Sequence, residues 1–184
     1  MRIITGSAKG QKLKAPKSSA VRPTADRVKE SLFNIIAGRV EGAQVADLCA
    51  GTGNLGLEAL SRGAAAAVFV DSSHTSMNLV RENAAHTRLA GRAEFCRLDA
   101  AIAVGRLSLA GRRFDLVFCD PPYNRGLVAA VLQAIDRTPF LNAGGLIILE
   151  HSQHEPVPTD LSTLSTIRTQ RYGETLITFL ADNK

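Results

Sequence analysis

Asp120-Pro121-Pro122-Tyr123 is the stretch of this sequence with the most chemistry in it. It follows the apolar run Leu116 to Cys119, and two consecutive prolines fix the backbone and remove amide donors, leaving carbonyls as a rigid acceptor wall. An exocyclic amine on a purine or pyrimidine is a poor nucleophile because its lone pair is delocalised into the ring. Accepting its hydrogens on Asp120 and on the Pro121 carbonyl favours a pyramidal nitrogen whose lone pair can attack. Tyr123 can then stack on the base, a contact worth ~1–3 kcal/mol. The bland alternative is a surface turn with a packed tyrosine, so the weight lies on what accompanies the tetrapeptide.

Three other places accompany it. Asp47-Leu48-Cys49-Ala50-Gly51-Thr52-Gly53-Asn54-Leu55-Gly56 is a Gly-x-Gly-x-x-Gly turn from a strand into a helix. Its missing Cβ atoms let backbone amides approach a ligand, and a helix N-terminus favours a carboxylate or another anion. Asp71 lies 20 residues after Gly51, where a carboxylate can accept from both ribose hydroxyls of a nucleoside. A dinucleotide and an adenosyl ligand present the same sugar at that strand, so both remain open. Asp99, after Arg97 and Leu98, could accept from an adenine amino group, and it is equally well placed to cap a helix.

The elements that must position these residues follow from periodicity. Arg2 to Thr5 and Gln11 to Ala15 read as a small hairpin, and Ser18 to Pro23 as a linker. Thr24 starts a helix with Val28, Leu32, Ile35 and Ile36 on one face, which Gly38 stops. Val45 to Leu48, Ala67 to Val70, Ala93 to Arg97, Leu116 to Cys119 and Leu146 to Leu149 are short strands. Helices are expected at Leu55 to Arg62, Met77 to Leu89 and Leu127 to Arg137. Leu164 to Arg171 and Glu174 to Leu180 read as a terminal hairpin joined at Tyr172-Gly173. Strand alternating with helix means an α/β fold on a mainly parallel sheet, whose ligands bind beyond the carboxyl ends of the strands.

The 184 residues, 45% hydrophobic and 21% charged, suit one packed domain. Residues 1–22 are expected to be a basic extension and residues 23–184 the catalytic fold. No apolar run reaches the length of a membrane span, and residues 1–10 lack a secretory signal, so a cytoplasmic protein that engages no membrane is expected. Cys49, Cys96 and Cys119 are an odd set without metal-ligand spacing, read as small core residues with no metal site. Residues 1–29 carry eight Lys or Arg against Asp26 alone, while the whole chain is only +5. A concentrated positive strip of this kind fits a polyanion partner or, more plainly, a solvated basic tail.

Taken together, these features resemble the S-adenosylmethionine-dependent amino methyltransferases, and more closely the RsmD-like family that methylates N2 of a guanine in small-subunit (16S) ribosomal RNA. The likeness spans nearly the whole chain. It rests on Arg22-Pro23-Thr24-x-Asp26-Arg27-Val28-Lys29-Glu30-Ser31-Leu32-Phe33-Asn34, on Asp47 to Gly56 continuing through Leu57 to Ala64, on Asp120 to Tyr123, and on Arg171-Tyr172-Gly173. Cys49 replaces the family's usual aromatic, Thr52 its serine and Asp71 a common glutamate. The resemblance implies a Rossmann-like fold with a mainly parallel seven-stranded sheet, an antiparallel C-terminal hairpin strand and a small N-terminal β-hairpin. It implies a monomer with S-adenosylmethionine as cofactor. Asp47, Gly51 and Gly53 would line its methionine end, Asp71 its ribose and Asp99 its adenine, while Thr24, Arg27 and Asn34 close over it. Asp120, Pro121, Pro122 and Tyr123 would receive the base, and Arg2, Lys9, Lys12, Lys14 and Arg22 would meet RNA.

Three rivals stay in view. A dinucleotide oxidoreductase could use the glycine turn, but Asp-Pro-Pro-Tyr has no role in hydride transfer. A DNA adenine-N6 or cytosine-N4 methyltransferase could use the same tetrapeptide on another exocyclic amine. A catalytically idle RNA-binding or assembly module would keep the fold without turnover.

Overall fold

The computed structural model describes residues 1–15, 24–123 and 125–183. The expected linker and Arg22 lie outside the described residues. Seven strands form one sheet: β1 (Gln44–Leu48), β2 (Ala66–Val70), β3 (Ala93–Cys96), β4 (Phe114–Cys119), β5 (Leu141–Ser152), β6 (Leu164–Tyr172) and β7 (Thr175–Asp182). Their order is β3-β2-β1-β4-β5-β7-β6. The first five run parallel, and β7 is antiparallel to both of its neighbours.

Among the described residues, five α-helices cover the two faces. On one side lie α1 (Thr24–Ile35), α2 (Asn54–Ser61) and α3 (His74–His86), whose Phe33, Leu57, Leu60 and Val80 pack on Phe69, Phe118 and Ile148. On the other lie α4 (Ala100–Leu109) and α5 (Leu127–Asp136), whose Val104, Val128 and Leu132 pack on Val70, Val117 and Leu149. Strand alternation requires this division, because successive side chains of each strand leave opposite faces of the sheet.

Several elements depart from the sequence reading for identifiable reasons. The α4 helix was legible only at its start, where Asp99 Oδ1 accepts from the amides of Ala101 (2.9 Å) and Ile102 (3.2 Å). Three polar residues precede the apolar pattern in α3, and Ser73 caps it by accepting from the Ser76 amide at 3.2 Å. The expected N-terminal hairpin is short, an antiparallel bridge between Arg2 and Lys12 flanked by the Ile3 amide on the Gln11 carbonyl (3.0 Å) and the Leu13 amide on the Met1 carbonyl (3.2 Å). The amides of Ile4 and Thr5 leave the hairpin and donate to the Glu58 carboxylate at 2.8 and 3.0 Å.

Glu58 is the hub of a buried polar network. Its side chain is fully buried and ion-pairs with Lys29 Nζ at 3.1 Å and Arg62 Nε at 2.8 Å. The Lys29 ammonium also donates to the Arg2 carbonyl (2.6 Å) and to Asn54 Oδ1 (2.7 Å). One carboxylate thus ties the N-terminal arm, α1 and α2 together. Burial pushes the Lys29 ammonium down from its ordinary pKa, and Glu58 opposes that push. Removing one partner of a buried pair leaves the other uncompensated. Glu58→Ala is therefore expected to cost about 3–5 kcal/mol in urea unfolding, whereas Glu82→Ala, which removes the exposed Lys14–Glu82 pair, is expected to cost at most ~1 kcal/mol. Equal costs for the two would show that the buried network does not hold the arm.

Candidate active site

The chain moves outward from β1 in one direction through β2 and β3, and from β4 in the other through β5. The switch between β1 and β4 is where an open α/β sheet leaves a crevice at the carboxyl ends of its strands. Here Leu48 stands opposite Cys119 in a parallel ladder. The turns that follow, at 49–53 and 120–123, therefore leave the sheet side by side and open into one cavity of about 1170 Å³. That volume exceeds what a single drug-sized ligand fills.

Local backbone explains the shape of the first turn. Gly51 (φ 56°) and Gly53 (φ 76°) occupy left-handed conformations, as does Cys49 (φ 64°), a position unusual for a side chain with a Cβ. Gly56 has a different reason: a Cβ there would lie 2.4 Å from the Phe69 ring and 2.9 Å from Asp47 Oδ2. Asp47 Oδ2 accepts from the Gly56 amide at 2.9 Å, fixing α2 against β1. Asp71 bridges the ends of β1 and β2, with Oδ2 accepting from the Gly51 amide (2.9 Å) and Oδ1 from the Ser73 amide (2.8 Å).

Of the residues expected at the site, Asp47, Gly51, Asp71 and Asp99 line the cavity on the side of the glycine turn. Asp120, Pro121, Pro122 and Tyr123 line it on the other. Gly53 is buried beneath the turn as the N-cap of α2. Asp99 caps α4, one of its two expected roles, and also lines the cleft. Thr24 opens α1, and its side chain lies outside the described residues.

Arg27 and Asn34 are a correction. Neither lines the cleft; both line a separate groove with Glu30, Ser31 and Arg168. Helical phase is the reason, because α1 turns Val28, Lys29 and Leu32 toward the cleft, and positions 27 and 34 lie on another side of a 3.6-residue helix. Cys49, expected in the core, packs against it and also lines the cleft. Of the basic residues in the arm, Lys9 and Lys12 are exposed, Arg2 pairs with Asp26 at 3.4 Å and Lys14 pairs with Glu82 at 3.0 Å.

The family model described as Conserved hypothetical protein 95 matches residues 1–181. The chain belongs to this family, the RsmD family. It is 38% identical over 175 residues to the Bacillus subtilis (strain 168) protein named "Putative rRNA methyltransferase YlbH", covering 95% of each chain. It is 37% identical over 174 residues to Ribosomal RNA small subunit methyltransferase D of Escherichia coli (strain K12), covering 95% of this chain and 86% of that one. The solved structure titled "Putative methyltransferase yhhF from Escherichia coli" superposes with a TM-score of 0.84 at 34% identity, over 99% of this chain and 97% of that one.

In this RsmD-family chain the cleft is dominated by carboxylates. Burial pushes the Asp47 carboxyl up to about 7; the Gly56 amide opposes the rise and Asp71 adds to it. Asp120 is also raised, first by loss of water around it, then by Glu150 and Asp47. Its side chain is open to the cleft, so this desolvation deepens when a ligand fills the space. Glu150, at the end of β5, was missed by the sequence reading. It accepts from the Tyr123 hydroxyl at 2.8 Å, and Thr175 Oγ1 lies 3.0 Å from the same hydroxyl. Burial, the largest cause, raises the pKa of Tyr123, whose ring is thereby fixed as a neutral wall of the cavity.

The shift at Asp47 implies a pH dependence of stability. A carboxyl raised in the folded state from 3.8 to about 7 stabilises the fold below its unfolded pKa, and that contribution is lost as pH rises through about 7. Asp47→Asn is expected to flatten thermal stability between about pH 4 and pH 7 relative to wild type, by an amount on the order of 4 kcal/mol. Parallel profiles for the two proteins would contradict the protonation assigned to Asp47.

Proposed function

We propose that this chain transfers a methyl group from S-adenosylmethionine to the exocyclic N2 amine of a guanine in small-subunit ribosomal RNA. The observation that carries the proposal is the common cleft of the two turns, with the glycine turn and Asp71 on one wall and Asp120 to Tyr123 on the other. The fit to the cofactor is chemical. A cationic adenosyl ligand with an amino-acid tail needs carboxylates and a ribose acceptor beside backbone it can approach closely; Asp47 and Asp71 supply the carboxylates, and Gly51, whose amide holds Asp71, supplies the open turn beside them. When bound, the sulfonium supplies an already activated methyl group, so a protein nucleophile is not required.

The chain's own residues then do three things. Asp47, Gly51, Asp71 and Asp99 hold the donor side in place. Asp120 and the Pro121 carbonyl accept the hydrogens of the amine, and Tyr123, held by Glu150 and Thr175, presents its ring to the base. A positive donor opposite Asp47, Asp120 and Glu150 favours their ionised forms, which readies Asp120 to accept from the amine and to pass the product's acidic proton to water. Positioning of this kind supplies much of the rate.

A base stacked in a duplex does not reach such a pocket, so the target guanine is flipped or lies in a loop. Lys9 and Lys12 of the arm are free to meet phosphates. Ribosomal RNA is favoured over DNA by the names of the relatives, and guanine N2 by the family likeness.

The test is incubation with labelled S-adenosylmethionine and unmodified small-subunit ribosomal RNA, followed by digestion to nucleosides. N2-methylguanosine is the expected product; label in DNA adenine or cytosine, with none in RNA, overturns the proposal. Asp120→Ala should lower transfer by about 100-fold or more with S-adenosylhomocysteine affinity nearly unchanged in calorimetry. A comparable loss of cofactor affinity would place Asp120 in the wrong role.

A further inference from the structure

The groove that holds Arg27 and Asn34 is not part of the cleft, yet it starts at the cleft's rim. Ser31 lines the groove, Tyr172 lines the cleft, and their hydroxyls are 2.6 Å apart. From that junction the groove, about 450 Å³ in volume, follows β6 away from the cleft. Its two walls are a consequence of periodicity. Arg27, Glu30, Ser31 and Asn34 follow the three- and four-residue spacing of one side of α1. Arg168, Gln170 and Tyr172 alternate onto the sheet face that α1 covers, opposite Phe179, Ile177 and Thr175 of β7. Tyr172 and Arg168 are four residues apart, roughly 13 Å along a strand.

The polar groups of this groove suit a ribose-phosphate chain. Two exposed guanidiniums stand on opposite walls, with Glu30 the one carboxylate among the described lining residues. Arg168 is held in place: with the Gln170 amide oxygen turned toward it, Nε and Nη2 donate to that oxygen at 2.8 and 2.9 Å, and Nη1 takes no part in that contact. A guanidinium fixed in this way is suited to an anionic oxygen, and Asn34 and Ser31 offer the amide and hydroxyl groups that ribose and base edges take. The N-terminal arm sits elsewhere, against α2 and α3 through Glu58 and Asn83. Basic groups therefore reach the neighbourhood of the cleft from two sides of α1.

We propose that this groove is a second track for the RNA strand, with Arg27 and Arg168 contacting phosphates of nucleotides that flank the one in the cleft; the inference rests on the reading of the chain as an RNA methyltransferase. A strand entering the cleft from the arm leaves past the Ser31–Tyr172 junction and down the groove. This gives Arg27 a role toward RNA in place of the one the family likeness suggested toward the cofactor.

The test is the binding of an unmodified small-subunit ribosomal RNA transcript between ~50 and ~200 mM salt, for wild type, Arg27→Ala/Arg168→Ala and Arg168→Glu. Calorimetric titration of S-adenosylhomocysteine runs in parallel. The double variant should bind RNA more weakly with a salt slope shallower by about 1.4, close to 0.7 for each phosphate released from a single strand. Arg168→Glu should bind more weakly still, and cofactor affinity should stay at the wild-type value in both. Both side chains are exposed, and coincident thermal unfolding checks that the fold is kept. An unchanged salt slope in variants of a wild type that does bind RNA overturns the groove alone. Loss of cofactor affinity with RNA binding intact also overturns it and returns Arg27 to the cofactor. A wild type that neither binds nor methylates the transcript defeats the parent reading and the groove together.

Discussion

The parallel pairing of β1 with β4, with Leu48 opposite Cys119, is the constraint from which the site follows. A one-residue slip would turn every side chain of a strand to the other face. In this chain that would bring Phe118 and Phe69 out of the core they share with α1 and α2. Because both faces are covered, the register is strongly specified. Each strand ends in a turn that cannot continue the ladder: a glycine pair at positive φ after β1 and a proline pair after β4. The crevice is thus formed by two chain segments that have no freedom to separate.

A second layer of order is electrostatic. Glu58 and Lys29, both buried, anchor the N-terminal arm beside the cleft, and Lys29 reaches Asn54 at the start of α2. In the cleft itself the carboxyls of Asp47, Asp71, Asp99, Asp120 and Glu150 share one space. Burial first, and neighbouring carboxylates after it, raise the Asp47 and Asp120 carboxyls, and a positively charged ligand opposes both shifts. Stability and ligand preference are in that sense two sides of one charge arrangement.

Much of this could be read from the chain. Strand positions, the glycine turn, Asp71 and the Asp120 to Tyr123 wall depend on local residue types and short spacing, and they stand where the pattern put them. What depended on tertiary context was harder. Lys29 and Glu58 look like solvated helix charges, and nothing local reveals that two helices and an arm bury them together. Arg27 and Asn34 belong to a recognisable motif, but a motif does not state which side of a helix faces a ligand. Glu150 was findable, since it is the residue that ends the apolar run 146–149, the one strand ending whose successor was not questioned. The arm reads as two strands and pairs as such at Ile3 and Leu13, but nothing local shows that Glu58, over fifty residues away, takes the amides of Ile4 and Thr5.

Where the methyl donor sits decides what the cleft does. A crystal structure of the protein with S-adenosylhomocysteine is the decisive measurement. The ligand's sulfur is expected between the turn at 49–53 and the turn at 120–123, with its ribose on Asp71. A ligand bound with its sulfur away from Asp120, or outside this cleft altogether, would contradict the account.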